Sequence, residues 1–396
     1  MCYTRGRYTV CFIILFFFLT PTLYANERII RDMRGVAVAI PKNITSVATI
    51  DDGFVEAIMS HIGVIDTVKV IGSWALKLNT IYTFSYTDSP QVEYRGCSPM
   101  RFLHPWLDEK PCITSRQGRS LDLETLASLA PDVIILRIGD CTIGAGDKTL
   151  VKKSIESLET LGFPLIVLYA PSWFSHANLS SLQDEARIIE EIFDKQGESE
   201  ELMQWIASLE TLIQERTADI AASERSTVLY LGLNSRARQQ GAAGTVHGTG
   251  TAESYIIENV VGATNAFQGS GAGVPLSAEQ IYALDPDVII LPTSQGYHPV
   301  DELYKADYYA SLDELRAIKK RQVYSLPYSP KNCARRLEYP LDMLIMAKAA
   351  YPQIFADMKV HEYALELYQR AYHIDRVTAE KVRTNQLLDW TVEQDF

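Results

Sequence analysis

Two stretches of the chain share one pattern of apolar and polar positions. Each begins with an amphipathic helical pattern, continues through a Pro-Asp pair and ends in a short apolar run: LETLASLAPDVIIL at 123–136 and AEQIYALDPDVIIL at 278–291. A continuous run of β-branched and leucine residues bounded by a turn is typical of a buried strand in a parallel sheet. The repeat therefore predicts two α/β halves of similar construction.

The similarity continues on both sides of this repeat. Upstream, ITSVATIDDGFVEAIMSHIG at 44–63 in the first half corresponds to STVLYLGLNSR at 226–236 and TAESYIIENVVGATN at 251–265 in the second, and each set predicts a strand, a loop and a helix. Downstream, LETLGFPLIVLYAPS at 158–172 and LDELRAIKKRQVYSLPYSP at 312–330 each predict a helix, an apolar strand and a turn. Strands that alternate with helices at this spacing predict mainly parallel sheets with helices on their faces.

The region between the halves has helical periodicity on both sides of Gly197 and contains no proline from 179 to 226. The part from Glu198 to about Ser223 predicts one helix, roughly 39 Å long at 1.5 Å per residue. We therefore expect an α/β fold of two doubly wound lobes, joined by a single long interlobe helix, with a ligand cleft between them. The expected domains are a signal peptide at 1–25, an N-terminal lobe at 26–177, a helical connector at 178–224 and a C-terminal lobe at 225–396.

The first 25 residues have the pattern of an export signal. Arg5 and Arg7 precede an uninterrupted apolar run at 10–19, and a short exit ends at Ala25. A membrane-spanning helix needs about 20 apolar residues, roughly twice the length of this run. We therefore expect cleavage near Ala25 and a periplasmic mature protein. Cys11 lies at the start of the run rather than after it, so no lipoprotein cysteine is expected.

The composition limits the partners and the chemistry. The chain has 49 acidic and 37 basic residues, a net charge of −12 at pH 7, which argues against nucleic acid and anionic membrane surfaces as partners. Neither HExxH nor GxSxG occurs in the sequence, so we do not expect an enzyme. The seven histidines are scattered, which argues against a site for bare zinc or manganese.

Four cysteines follow the signal, at positions 97, 112, 141 and 333. In an exported protein they allow three disulfide pairings. Cys97 with Cys112 is the simplest pairing, because both lie in one proline-bearing segment whose closure would constrain a long loop. Cys141 and Cys333 could pair with each other, bind a soft metal or remain as buried thiols.

Candidate ligand-binding residues follow the predicted strands. In open parallel sheets, ligands bind beyond the carboxyl ends of the strands, where the loops converge. Cations concentrated there in an acidic protein indicate an anionic ligand, and tryptophan rings could stack on a planar chelate. The residues are Trp74, Arg137, Tyr169 and Trp173 in the first half, and Arg236, Tyr297, His298, Tyr328, Arg335 and Arg336 in the second.

Each of these assignments has a structural alternative. The phenolate of Tyr297 and the imidazole of His298 suit a metal such as ferric iron, but the pair could instead form a surface turn. Arg335 and Arg336 could bind siderophore oxygens or cap the following helix, and the aromatic residues could pack in the rim of the cleft. The glycine-rich segment 241–250 could cradle an anion, although a flexible loop is its ordinary interpretation.

The order of these segments resembles that of the class III periplasmic binding proteins, which serve ABC importers of ferric siderophores, haem and cobalamin. The resemblance covers essentially the whole chain after the signal. It implies an importer permease with its ATPase as partner, and acidic surface residues that dock on permease arginines. Glu56, Glu253 and Glu279 are candidates for docking. We also expect a monomer with no permanently bound cofactor. The resemblance rests on ITSVATIDDGFVEAIMSHIGVIDTVKVIGS, LDLETLASLAPDVIIL, GFPLIVLYAPS, YIIENVVGATNAF, LSAEQIYALDPDVIIL and LRAIKKRQVYSLP.

We therefore expect a protein that captures a metal chelate, an anionic ferric siderophore-type complex, and delivers it to the importer. Cobalamin, haem and a molybdate-like oxyanion are alternative ligands. Alternatives of another class are a metal-cofactor enzyme, a cofactor-assembly scaffold or a ligand sensor domain. The segment from Trp74 to Ser120 is an addition to the usual family pattern, and it is expected to reshape the rim of the cleft.

Overall fold

The computed structural model describes residues 26–77, 79–84, 92–114, 120–139, 142–144, 146–174, 179–292, 298–328 and 336–396. The strands are β1 (Glu27–Arg31), β2 (Ala37–Pro41), β3 (Val47–Ile50), β4 (Val68–Ile71), β5 (Asn79–Phe84), β6 (Val92–Cys97), β7 (Val133–Ile138), β8 (Leu165–Tyr169), β9 (Thr227–Gly232), β10 (Gly244–Val246), β11 (Thr264–Asn265), β12 (Val274–Leu276), β13 (Val288–Leu291) and β14 (Val323–Ser325). The α-helices are α1 (Phe54–His61), α2 (Pro99–Leu103), α3 (Leu123–Leu129), α4 (Lys148–Glu159), α5 (Ser181–Phe193), α6 (Glu200–Thr217), α7 (Ser235–Gln239), α8 (Ala252–Tyr255), α9 (Ala278–Leu284), α10 (Val300–Lys305), α11 (Arg316–Lys319), α12 (Tyr339–Ala350), α13 (Val360–Tyr372), α14 (Arg376–Asn385) and α15 (Asp389–Glu393).

The first sheet contains four parallel strands in the order β4-β3-β7-β8. Every residue of β3 and β7 is buried, as expected for a parallel sheet with both faces covered. The register places Ile50, the last residue of β3, beside Leu136 of β7. The loops that follow these two strands therefore leave the same edge of the sheet.

The second sheet has the order β12-β10-β9-β13-β14, with β11 also paired to β9. Strands β9, β11, β13 and β14 are parallel, whereas β10 is antiparallel to both of its neighbours. Strand β10 comes from the glycine-rich segment 241–250, so a flexible loop is the wrong interpretation for that part of the chain. A Cβ on Gly248 would lie 1.8 Å from the backbone oxygen of Gly269. The glycine there permits close backbone packing.

Two antiparallel hairpins extend this α/β framework. Strand β1 pairs with β2 near the start of the described chain. Strand β5 pairs with β6 from Asn79 opposite Cys97 to Phe84 opposite Val92. The second hairpin lies within the additional segment between Trp74 and Ser120. It begins shortly after the carboxyl end of β4.

The apolar core of the described residues is continuous between the sheets. Separate clusters cover one face of each sheet, with α3 and α4 on the first and α9 and α10 on the second. A third cluster extends from Ile135 of β7 to Ile290 of β13 through α1, α5, α6, α12 and α13. Helix α12 packs against α6 and β13, and α13 packs against α1. Packing between the two sheets is therefore not confined to α6.

Helix α6 lies inside the helix predicted from Glu198 to Ser223 but is shorter. Its 18 residues correspond to about 27 Å, and a 3-10 turn at Ala222–Glu224 follows it. That α6 is the single connection between the lobes stays a prediction, as do the domain boundaries.

Candidate functional site

Loops from the carboxyl ends of both sheets meet at one contact. Asp52 follows β3 of the first sheet, and Arg336 lies in the segment that follows β14 of the second. The Arg336 Nε donates to the backbone oxygen of Asp52 over 3.0 Å, and only 9% of Arg336 is exposed. A Cβ on Gly53 would lie 3.3 Å from the same Nε. This contact joins the two edges at which the sequence predicts the ligand cleft.

Arg137 lies in the protein interior and does not face an open cleft, contrary to the prediction that it binds the ligand. Its side chain is fully buried. The guanidinium donates to both carboxylate oxygens of Glu185, with Nη2 3.1 Å from Oε1, and Nη1 lies 3.4 Å from Oδ1 of Asp51. It also lies over the Phe54 ring, 4.5 Å from the centroid. Strand β7 includes Arg137 and is covered on both faces, so the side chain points into the interior and needs buried carboxylates as partners.

Burial perturbs the acidic groups around Arg137. Burial raises the pKa of Glu185 to about 7, although Arg137 opposes the shift. Burial, and then repulsion from Asp51, also raises the pKa of Glu56 well above its ordinary value, while the Thr49 hydroxyl that donates to Glu56 opposes the shift. The cluster thus holds more protons in the folded protein than the same groups hold in an unfolded chain at mildly acidic pH.

We expect this proton uptake to make stability depend on pH. In the unfolded chain Glu185 returns to a pKa near 4.5, so between pH 4.5 and about 7 only the folded protein keeps the proton. The free energy of unfolding should therefore fall as pH rises through this window. Glu185→Gln should make the decline shallower, with a remainder contributed by Glu56. Urea unfolding at pH 5 and pH 7 measures this fall in the free energy of unfolding, with the exposed Glu156→Gln as control. An equally steep fall in the Glu185 variant would show that Glu185 is not its source.

Two of the three acidic residues considered for docking are buried. Glu56 is fully buried. Glu253 is 4% exposed, and its Oε2 lies 3.1 Å from Nδ1 of His247. These two expectations are wrong, because a carboxylate without surface exposure cannot meet a partner protein. Glu279 is exposed in the first turn of α9.

Three aromatic candidates lie at or just after the ends of strands of the first sheet. Trp74 is half-buried in a 3-10 turn that follows β4. Tyr169 and Trp173 stack with a centroid distance of 4.5 Å and an interplanar angle of 3°. Lys148 Nζ lies 3.1 Å from the centroid of the Trp173 ring. Tyr169 and Lys148 therefore already contact the Trp173 ring.

His298 lies in a buried polar cluster that includes residues the sequence did not single out. Its Nδ1 is 3.2 Å from the Tyr82 hydroxyl and 3.9 Å from Oε2 of Glu302. Tyr82 donates to Oε2 of Glu302, and the Tyr308 hydroxyl donates to Oε1 over 2.9 Å. The Glu302 side chain is fully buried and lies 3.7 Å from Nη1 of Arg238. Tyr82 comes from the β5–β6 hairpin, whereas the other four residues belong to the second half.

Within this cluster, Nδ1 is the nitrogen of His298 that contacts Tyr82. Burial, reinforced by Glu302, raises the pKa of Tyr82 far above its ordinary value, so the phenol stays protonated and its one hydrogen goes to Glu302. The phenol oxygen then accepts a hydrogen bond from Nδ1 of His298, and Nε2 is the other ring nitrogen. His298 is 2% exposed, and no hydrogen-bond partner of Nε2 occurs among the described residues. Histidine ring nitrogens commonly bind metals or hydrogen-bond to ligands, and Nε2 is the nitrogen of His298 that is left for such a contact.

The remaining candidates are divided between the surface, the interior and undescribed parts of the chain. Arg236 is exposed on α7. Tyr328 is 2% exposed, and it lies so close to the hairpin that a Cβ on Gly96 would be 2.6 Å from Cδ2 of its ring. Tyr297 and Arg335 lie outside the described residues, as do Cys141 and Cys333.

The predicted disulfide between Cys97 and Cys112 is not formed, because both residues are free thiols. Cys97 ends β6, and its Sγ donates to Oδ1 of Asn385 over 3.4 Å. Cys112 forms a backbone bridge with Ile71 beside β4, and its Sγ faces the backbone oxygen of Thr114. The two thiols therefore have different neighbours and are held by different elements.

Within the described ranges, no group of three or more His, Cys, Asp or Glu side chains is arranged to hold a metal ion. No helix in that part of the chain has the length and apolarity required to cross a membrane.

Comparison with known proteins gives a family and a fold. Residues 96–330 match the family model described as periplasmic binding protein. A periplasmic solute binding protein of Veillonella parvula superposes with a TM-score of 0.70 at 21% identity, covering 94% of this chain and 100% of the other. The molybdate periplasmic binding protein MolA of Haemophilus influenzae gives 0.63 at 18% identity, covering 88% and 98%. The petrobactin-binding protein YclQ of Bacillus subtilis gives 0.55 at 17% identity, covering 83% and 98%.

A search of the curated proteins gives no match. The family match covers more than half of the chain, and the solved structures confirm the predicted α/β fold with mainly parallel sheets. The chain therefore belongs to the periplasmic binding protein family, whose class III members bind solutes for ABC importers and are not enzymes.

Proposed function

We propose that this protein binds an anionic metal chelate, a ferric siderophore-type complex, between the carboxyl edges of its two sheets and delivers it to an importer permease. The observation that carries the proposal is the meeting of these edges through Arg336 and Asp52. Ligands of open α/β sheets bind at such edges. Arg236 and Arg336 supply positive charge in a protein of net charge −12, which favours an anionic ligand.

The position of His298 supports a metal complex as the ligand. Its buried Nε2 has no hydrogen-bond partner among the described residues, and Tyr82 fixes the ring from the opposite side through Nδ1. A histidine ring that is oriented by a hydrogen bond at one nitrogen suits contact through its other nitrogen with a metal complex. Relatives of the same fold are named for petrobactin and for molybdate, so molybdate belongs in any test of the ligand.

Titration of tryptophan fluorescence tests the ligand class. The purified protein would be titrated with iron(III) catecholate, iron(III) hydroxamate, haem, cobalamin and molybdate, since Trp74 and Trp173 follow strands of the proposed cleft. We expect saturable quenching by one ferric complex. His298→Ala should weaken that binding by at least about tenfold, whereas His361→Ala, on α13, should leave it unchanged. Saturation by haem, cobalamin or molybdate alone would overturn the ferric assignment.

The internal repeat points to the acidic residues that meet the permease. Glu124 and Glu279 occupy the same position in LETLASLAPDVIIL and AEQIYALDPDVIIL. Both are exposed, in the first turns of α3 and α9. A helix that packs antiparallel to the strand after it begins near the carboxyl edge of the sheet. We propose that this pair, one carboxylate per lobe beside the cleft, docks on permease cations.

A further inference from the structure

The β5–β6 hairpin follows the first sheet along the chain and contacts segments that follow strands of the second sheet. It follows β4 of the first sheet through the turn that contains Trp74. Tyr82 of β5 contacts His298 and Glu302, beyond β13, and Gly96 of β6 lies against Tyr328, beyond β14. The hairpin therefore crosses from the carboxyl edge of the first sheet to the carboxyl edge of the second.

The base of the hairpin is fastened to the end of α14. Gln386 Nε2 donates to the backbone oxygen of Cys97 over 2.8 Å, and Cys97 Sγ donates to Oδ1 of Asn385. The backbone NH of Tyr328 donates to the backbone oxygen of Gln386 over 2.7 Å. The base, the end of α14 and the segment after β14 thus form one connected unit.

Farther along β5, the side chain of Tyr82 reaches a buried hydrogen-bond acceptor, Glu302. Tyr82 donates to a carboxylate that is fully shielded from water, and it receives a hydrogen bond from His298. A buried hydrogen bond to a charged group contributes more than an ordinary one. Tyr308 donates to the other oxygen of Glu302 from within the second half. Of these two phenols, only Tyr82 links Glu302 to the hairpin.

We infer that the β5–β6 hairpin is a cover over the ligand cleft and that Tyr82 is the latch that holds it against the C-terminal lobe. This inference rests on the proposed function for the position of the cleft, but the latch itself exists without ligand. Opening requires the Tyr82 phenol to leave Glu302 and His298, so the rate at which a bound complex escapes is set at this contact. Tyr82 thereby controls how long the cargo is retained.

Hydrogen–deuterium exchange of the ligand-free protein tests the latch directly. Tyr82→Phe should increase exchange at the paired amides of β5 and β6 by about tenfold, the change expected from loss of one buried hydrogen bond to a carboxylate. Tyr308→Phe is the matched control, because it removes the same kind of donor from the same carboxylate without touching the hairpin. Thermal melts of both variants verify folding. Equal exchange in the two variants, or no change in either, would overturn the latch.

A second measurement separates the latch from the proposed function. Dissociation of an iron(III) catecholate complex, followed by stopped-flow fluorescence, should be about tenfold faster in Tyr82→Phe than in Tyr308→Phe. If exchange changes but no iron complex binds either protein, the latch stands and the ferric assignment fails. If the complex binds and both variants release it at the same rate, the latch does not control retention and the inference fails.

Discussion

Replacing both Glu124 and Glu279 with glutamine is expected to lower uptake of the cargo by at least about tenfold while leaving its affinity for the purified protein unchanged. Charged pairs across an interface steer association and fix the orientation of the two proteins. Removing one charge of a pair leaves the other charge unpaired. The two carboxylates are at equivalent positions of the repeat and are exposed on both lobes. Their loss should therefore affect delivery to the permease rather than capture.

Uptake of the radiolabelled form of the complex identified by titration, in cells that depend on this protein, measures the effect, alongside fluorescence titration of the purified variant. The control is Glu215→Gln with Glu224→Gln, which changes the net charge equally at two exposed positions in and after α6. Normal uptake by the Glu124 and Glu279 variant would exclude the proposed docking pair. A parallel loss of affinity would instead place these residues in ligand binding.

Arg137→Met is expected to lower the free energy of unfolding by about 3–5 kcal/mol, the range found when one member of a buried ion pair is removed. Asp51 and Glu185 would then be buried without their guanidinium partner. Methionine preserves much of the packing against Phe54. The loss should therefore reflect buried acidic groups that have lost their guanidinium partner, rather than a cavity.

Urea unfolding measures this loss. Arg187→Met is the surface control, because Arg187 pairs with Asp184 and Glu191 on the exposed side of α5, and such pairs contribute about 1 kcal/mol or less. Adding Glu185→Gln to Arg137→Met should recover part of the stability, since a neutral amide needs no countercharge. A loss below about 1 kcal/mol in the single variant would show that the cluster is not an essential part of the core.

The order and type of the main strands and helices could be predicted because each follows from the pattern of apolar residues within its own segment. Strand β13 lies inside its repeated apolar run, and β7 begins inside the other and continues to Ile138. The helices before these strands have N-caps at Ser277 and Asp122. Parallel pairing follows from the alternation of helices and strands. Strand β10 was missed because a three-residue strand within a glycine-rich segment has no apolar pattern of its own.

The candidate site was harder to predict because its partners are distant along the chain. Arg137 appeared to follow a strand, but β7 continues to Ile138 and turns the side chain toward Glu185, 48 residues away. Tyr82 meets Glu302 across 220 residues, and nothing in the local pattern marks either residue. The only signal was that Tyr82 lies in the segment that departs from the family pattern.

The continuous apolar core between the two sheets of the described chain should oppose rotation of one sheet relative to the other. Helices α6, α12 and α13 share one cluster with strands of both sheets, so a wide rotation of one lobe would bring apolar surface into water. Exposing about 400 Å² would cost about 10 kcal/mol, comparable to the entire stability of a typical domain. We therefore expect ligand exchange to proceed through displacement of small parts at the rim, with little change in the shape of the rest of the binding site.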